Sequence, residues 1–322
     1  MDGHFKVIYF TIAMSKFYLL ALLLAGSIYS LAQDNKKSRW VDSVFSNLRK
    51  DEKIGQLFLV PISTNTSKEE VQALVNQCKA GKIGGLFIQR SGAVGYAKMI
   101  NRIQSQSKIP LFTTADVSGD LTQTFDSTMS FYNSIVLNAI INDTLLNELD
   151  SERARQIKIL GIHFNLKLES KSSEGLQLTY VPDFSITNSK PKKGEVERQA
   201  FLQANDLLIA PKNVDAAIKA ISKATKKDKA LATQLDHSVK KILSKKYDVG
   251  LSQNKFIDTD NLFSKLHSTE AQLLKQHLAE AAVTLVQNDS ELVPIQKLDE
   301  KKFVSVSVGE DSKNEFTYFL SK

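Results

Sequence analysis

Cysteine is almost absent: Cys78 is the only one in 322 residues, so the chain cannot hold an internal disulfide. It sits in Val71-Gln-Ala-Leu-Val-Asn-Gln-Cys78, an apolar pattern at helical spacing, and reads as a small buried residue. No nucleic-acid motif occurs, and the positive residues are scattered apart from Lys226-Lys227 with Lys229 and Lys240-Lys241 with Lys245-Lys246. Those groups fall on helix faces and read as solvated surface, so no nucleic-acid partner is expected. No set of metal ligands is apparent, and neither a metal nor a cofactor is expected. The longest apolar run, Phe17 to Tyr29, is shorter than the roughly 20 residues that a membrane span needs.

What is present begins with that run. Lys16 precedes it, and Ser30-Leu31-Ala32 places small residues at −3 and −1 of a cleavage site. Residues 1–32 therefore read as a secretory signal peptide, with Met14 a candidate start and Gln33 the mature N-terminus. A retained membrane anchor is the alternative. The absence of cysteine at the cleavage site argues against a lipoprotein. Export without disulfides fits a bacterial periplasm or cell surface. The formal net charge is +7, and loss of Lys6, Lys16 and Asp2 with the leader gives 7 − 2 + 1 = +6. With 42% hydrophobic and 24% charged residues, the chain can bury a sizeable core.

From Trp40 to Glu169 helices and strands alternate, which predicts βα units and a parallel sheet. A helix is expected over Trp40–Leu57, then a strand Phe58–Pro61. A helix capped by Ser67 runs to about Ala80, followed by a strand Ile83–Ile88 and a helix Tyr96–Gln106. The next strand, Ile109–Ala115, ends at Asp116, with Gly119 three residues on. A carboxylate at a strand end is how a parallel α/β fold presents a side chain to a ligand; an ordinary Asp/Ser/Gly turn is the other reading. A helix over Thr144–Leu160 is expected to be capped by Asp143 and closed by Gly161. A strand, Ile162–Glu169, follows it. After a polar bend come a short strand, Leu176–Tyr180, and a basic loop, Asn188–Lys193. Next are a helix over Glu195–Ala204, a strand Asp206–Ala210, a helix capped by Asn213, and one over Ala230–Tyr247. Ser252–Asp260 reads as a linker, Ser268 starts another helix, and Phe303–Val308 alternates as a strand.

Taken in order, these stretches resemble the N-terminal barrel of glycoside hydrolase family 3, in particular its β-N-acetylglucosaminidase branch. The matching pieces are Trp40-Val-Asp…Leu48 with Lys53-Ile-Gly-Gln-Leu57, Gly84-Gly-Leu-Phe87, and Ile109-Pro-Leu…Asp116. Phe125-Asp-Ser-Thr-Met-Ser-Phe131, Arg153…Leu160-Gly-Ile-His-Phe164 and Gly194-Glu-Val-Glu197 with Ala204-Asn-Asp-Leu-Leu208 continue the series. Ser238-Val-Lys-Lys-Ile242 with Lys246-Tyr and Gly250-Leu closes the barrel. Ala282-Val-Thr-Leu-Val286 with Leu292-Val-Pro294 is similar to the start of that family's second, α/β-sandwich domain. The resemblance implies a degenerate, incomplete TIM-type (β/α) barrel over 33–251. A linker and helix over 252–282 follow, and 283–322 is the start of a truncated α/β-sandwich domain.

The resemblance also implies site residues and losses. Asp116 matches a sugar-binding position, and Glu169 stands where the family has the aspartate that ends its fourth strand. Thr124 stands where the family has a sugar-binding arginine, and Lys167 where it has an apolar residue. Pro182-Asp-Phe-Ser185 is the best match to the nucleophile's strand, making Asp183 the candidate nucleophile; a turn acid after proline is the other reading. Between Glu169 and Leu176 the family's Lys-His substrate segment and its acid/base loop are absent. His163, His237, His267 and His277 read as structural and do not replace them.

Retaining glycoside hydrolysis needs a nucleophile and a second group to protonate the leaving oxygen. The resemblance therefore implies an exported glycosidase relative acting on N-acetylglucosamine-containing glycans, with doubtful hydrolytic activity. A non-catalytic glycan-binding or scaffold domain and a truncated gene product are the alternatives.

Overall fold

Four- and five-residue apolar runs bounded by glycine or proline can be buried on both faces, as strands of a parallel sheet are. The computed structural model describes residues 35–117, 120–166, 172–173, 176–181, 191–253, 256–289, 293–304, 306 and 317–318. Helix α1 covers residues 35–46. It is followed by α2 (Lys50–Gly55), β1 (Phe58–Ile62), α3 (Lys68–Lys79), β2 (Gly85–Ile88), α4 (Ala93–Gln106) and β3 (Phe112–Ala115). Then come α5 (Ser134–Asn138), α6 (Asp143–Ile159), β4 (Phe164–Asn165), β5 (Ser172–Ser173), β6 (Leu176–Tyr180), α7 (Glu195–Leu202) and β7 (Leu207–Ile209). Helices α8 (Val214–Lys227), α9 (Lys229–Asp248), α10 (Leu262–Leu266) and α11 (Thr269–Ala282) complete the order.

The sheet runs β4-β3-β2-β1-β7-β6-β5. Six strands are parallel, and β5 alone is antiparallel, to β6. The first strand lies in the middle, with the last beside it: Leu59 is level with both Gly85 of β2 and Ile209 of β7. That is the cyclic order of a (β/α)8 barrel opened between its fourth strand and the strand before its last. The six strands form a curled half-barrel, and the expected incomplete barrel is what the chain builds. Chain length explains the opening. Only residues 166–175 separate β4 from β6, and a single βαβ crossover already takes at least about 10–12 residues.

Burial sorts the two faces. Ile62, Leu86, Ile88 and Ala115 pack with Val75 and Cys78 of α3 and Tyr96, Ala97 and Ile100 of α4, which makes theirs the outer face. Leu59, Phe112, Phe164 and Ile209 lie in the other cluster, with Phe87 and Tyr180 packed against it, and fill the inside. Phe112 and Phe164 meet edge to face with centroids 5.1 Å apart. Glycine at 84 is required by close approach, since a Cβ there would lie 2.0 Å from the Gln56 carbonyl oxygen. Below the strands, Lys246 of α9 donates its Nζ to Gln56 Oε1 at 2.7 Å and stands 5.4 Å from the Phe112 ring. It is fully buried, and loss of hydration pushes its ammonium down to about 7. A third cluster, with Phe131, Leu145, Leu149, Leu274 and Leu278, ties α5 and α6 to α11.

Several expected boundaries move. The Trp40–Leu57 helix is two helices, α1 and α2, because Arg49 adopts an extended backbone and caps α2. Helix α6 is capped by Asn142, whose Oδ1 accepts from the Leu145 N–H at 3.2 Å, and Asp143 becomes its first residue. Helices α5 and α10 have no counterpart in the sequence reading; each is a five-residue piece whose pattern is too short to register. The long strand expected over Ile162–Glu169 is a two-residue ladder, Phe164–Asn165, with Lys167 to Glu169 outside the described residues. At Phe303–Val308 the described residues Phe303, Val304 and Val306 are exposed and form no ladder, since a strand needs a partner to satisfy its backbone. The caps at Ser67, Asn213 and Ser268 form as expected.

Candidate functional site

Parallel α/β folds place ligand-binding groups just beyond the carboxyl ends of their strands. Asp116 stands there. Its neighbour Ala115 is level with Asn165 of β4, so Asp116 is the first residue past the β3–β4 ladder. Its carbonyl accepts the Thr124 hydroxyl at 2.8 Å, and the next N–H, of Val117, donates to Asn165 Oδ1 at 2.9 Å. The loops above β1, β2 and β3 are stitched together. Ser91 Oγ accepts from the Thr64 N–H at 3.1 Å, and the Ser91 N–H donates to the Thr124 carbonyl at 2.8 Å. Asp116 is half-buried on this framework.

Tyr180 faces it from the end of β6. Its ring meets Phe87 of β2 edge to face, with centroids 5.8 Å apart and planes at 83°. Because β1 and β7 lie between β2 and β6, this contact crosses the inside of the curled sheet. The Tyr180 hydroxyl is buried with no hydrogen-bond partner among the described residues. Burial, and then the charge of Asp116, pushes its phenol up to about 12. The mouth thus holds a carboxylate, a protonated phenol donor and an aromatic pair. Such a set can hydrogen-bond sugar hydroxyls and lie against a sugar's apolar face.

Of the residues singled out in the sequence, Asp116 is placed at the mouth, while Glu169 and Asp183 lie outside the described residues. Thr124 is used structurally, its hydroxyl holding the Asp116 backbone. His163 lies just ahead of β4, where its Nδ1 accepts from the Thr113 N–H at 2.9 Å. Burial pushes it down to about 4, so it is a neutral structural imidazole. Cys78 is buried, its thiol pushed up to about 12 by desolvation, and is unreactive. Tyr180, Phe87 and Asn165 went unremarked as site residues. For Tyr180 and Phe87 the sequence signal was a position at or next to the end of an expected strand; Asn165 fell inside the strand expected over Ile162–Glu169 and had none. Among the described residues no group of three His, Cys, Asp or Glu is placed to hold a metal ion. No described helix is long and apolar enough to cross a membrane.

The class this architecture defines is an open α/β barrel, a curled parallel half-barrel with helices packed on its outer face. Solved structures with the same fold are glycoside-processing enzymes. A β-glucoside phosphorylase, BglX, bound to 2FGlc superposes with a TM-score of 0.61 at 13% identity, covering 81% of this chain and 70% of that one. A β-glucosidase from Listeria innocua in complex with glucose gives 0.57 at 14% identity, over 80% and 53%. A fungal multi-domain family 3 β-N-acetylglucosaminidase gives 0.52 at 12% identity, over 80% and 46%. In sequence, a β-N-acetylglucosaminidase/β-glucosidase of Cellulomonas fimi is 25% identical over 141 residues, which is 44% of this chain and 24% of that protein. The chain thus aligns with about a quarter of that relative's length. No protein-family profile matches the sequence. The chain resembles the N-terminal domain of glycoside hydrolase family 3.

Proposed function

We propose that this chain is an exported glycan-binding relative of the family 3 β-N-acetylglucosaminidases, with its hydrolytic chemistry impaired. The observation that carries the reading is the mouth of the half-barrel. There the charge of Asp116 reaches the phenol of Tyr180, whose buried hydroxyl no described residue engages and whose ring pairs with Phe87. Impairment is supported by length. The ten residues 166–175 leave no room for two further βα units with an acid/base loop. General acid–base help is worth roughly 10²–10⁴-fold, and its loss leaves one carboxylate without a proton donor.

In this reading Asp116 hydrogen-bonds a sugar hydroxyl, Glu169 adds a second polar contact, and Asp183 is the relic of a nucleophile. N-acetylglucosamine-containing glycan is the substrate class and the periplasm or cell surface the location. Residues from 283 onward form the start of a second α/β unit. The exposure of Val283, Val286, Val304 and Val306 supports this, since those apolar side chains suit a sheet interior.

Calorimetry with N,N′-diacetylchitobiose and hydrolysis of a chromogenic N-acetylglucosaminide test the reading. Weak binding is expected. Asp116→Ala should lower it about tenfold, the loss of roughly 1.4 kcal/mol, and Asp183→Ala should leave it unchanged. Turnover that Asp183→Ala abolishes would restore the full retaining mechanism and end the impaired reading.

A further inference from the structure

A second polar cleft, of about 670 Å³, lies along the loop that leaves the end of β3. Its walls come from the loop after β3, from α5 with the residues before it, and from Arg153 of α6; no lining residue belongs to a strand. Two arginines two positions apart on α6 are used in different ways. Arg155 is consumed by the fold. Its Nε and Nη2 donate to the Glu152 carboxylate at 2.6 and 2.7 Å, and Nη2 also donates to the Lys265 carbonyl at 2.9 Å. The Arg153 side chain is 27% exposed, yet the carboxylate beside it, Asp150, is 3.6 Å away and 76% exposed. That distance is beyond hydrogen bonding, so the planar donor fork is left unsaturated by its neighbour.

The acid within the cleft makes hydrogen bonds elsewhere than on Arg153. Asp120 accepts the Ser130 hydroxyl at 2.5 Å on one oxygen and the Thr122 N–H at 3.0 Å on the other. Tyr132 lies in the wall, and Lys275 Nζ stands 6.0 Å from the centre of its ring, adding a second positive charge. A mostly covered guanidinium whose fork its neighbour does not hydrogen-bond is matched in shape and charge by a carboxylate. A neighbouring aromatic ring and the amide of Gln123 suit a polyol ring carried by that carboxylate. The mature chain's net charge of 7 − 2 + 1 = +6 favours approach of an anion.

We propose that this cleft binds an acidic sugar residue, with the Arg153 fork on its carboxylate and its ring against Tyr132. The carboxylate requirement follows from Arg153, while the sugar scaffold rests on the glycan reading given above.

The test is titration of the mature chain, by calorimetry or saturation-transfer NMR, with methyl β-D-glucuronide, methyl β-D-glucoside and acetate. The glucuronide should bind at least tenfold more tightly than either control. Arg153→Gln should lower that affinity at least tenfold at an unchanged unfolding midpoint. Arg153→Lys, which keeps the charge without the fork, should fall between. Asp116→Ala should leave glucuronide binding within twofold. Failure of the glucuronide to bind overturns the proposal, as does acetate binding equally well. Loss of glucuronide binding on Asp116→Ala instead of Arg153→Gln places the ligand in the barrel mouth; it too overturns the proposal, while the glycan reading survives. Absence of diacetylchitobiose binding alongside an Arg153-dependent glucuronide site would overturn only the mouth.

Discussion

An ammonium group at position 246 has lost contact with water and, among the described residues, donates one hydrogen bond, to Gln56. Burial lowers it from 10.5 to about 7, outweighing the nearby Cys78 thiol, which acts the other way. In the unfolded chain the same lysine titrates at its ordinary value. Between about 7 and 10.5 the unfolded state therefore holds a proton that the folded state has released. Stability should rise with pH across that window and level off below it, with a slope of at most ~1.4 kcal/mol per pH unit. Denaturant midpoints at pH 7 and pH 9 measure this, and Lys246→Met should abolish the difference. A wild-type midpoint that falls between those pH values would contradict the assignment. The mouth shows what single residues reveal in advance. Asp116 was legible because an apolar run ends in an acid. The Phe87–Tyr180 contact was not, because it depends on two strands that become neighbours across the interior only when β1 and β7 curl between them.

Elements were legible where the apolar period is long and a cap stands beside it. Ser67 with Glu70 forms a full capping box, each side chain bonding the other's backbone N–H. Where two candidate caps are adjacent, the sequence does not choose. At Asn142-Asp143 the structure chooses the first. Asn142→Ala should therefore cost about 1 kcal/mol, while Asp143→Ala should cost a few tenths, through the helix dipole alone. Thermal unfolding of the two variants decides between them, and equal losses would contradict the capping assignment. Short pieces such as α5 and α10 were illegible for the opposite reason. Five residues make little more than one turn, and what holds them is packing against α4, α6 and α11, which no local pattern encodes.

Across the molecule, the parallel order and the opening of the sheet followed from counting βα units, because a chain ten residues long cannot carry two of them. The third cluster under α11 did not follow, since it joins side chains more than a hundred residues apart, such as Phe131 and Leu278. Protection should follow the sheet order. β1 and β2 have partners on both sides and are covered by helices, so their amides should exchange close to the global unfolding limit. The short β4 at the edge and the exposed residues 283–287 and 293–304 should exchange orders of magnitude faster. Hydrogen exchange read by mass spectrometry tests this, and equal protection in β1 and β4 would count against the open sheet. The same spectra read the N-terminus of protein recovered from the exported fraction, which should begin at Gln33; an intact Met1 or Met14 would refute cleavage after Ala32.

The pairing of the first strand with the last has a consequence in time. Phe58 sits level with Leu208, a separation of 208 − 58 = 150 residues. Loop closure on that scale is slow to be rewarded, and synthesis proceeds at ≈ 5–20 residues per second. While the chain is still being made, β1 can pair with β2 at once, but its other edge stays bare until residue 207 has cleared the ribosome. For those seconds the central strand of the finished sheet is an edge strand, rich in apolar residues and open to any extended segment nearby. Under the export proposed above, that interval falls under whatever holds the chain unfolded for transport.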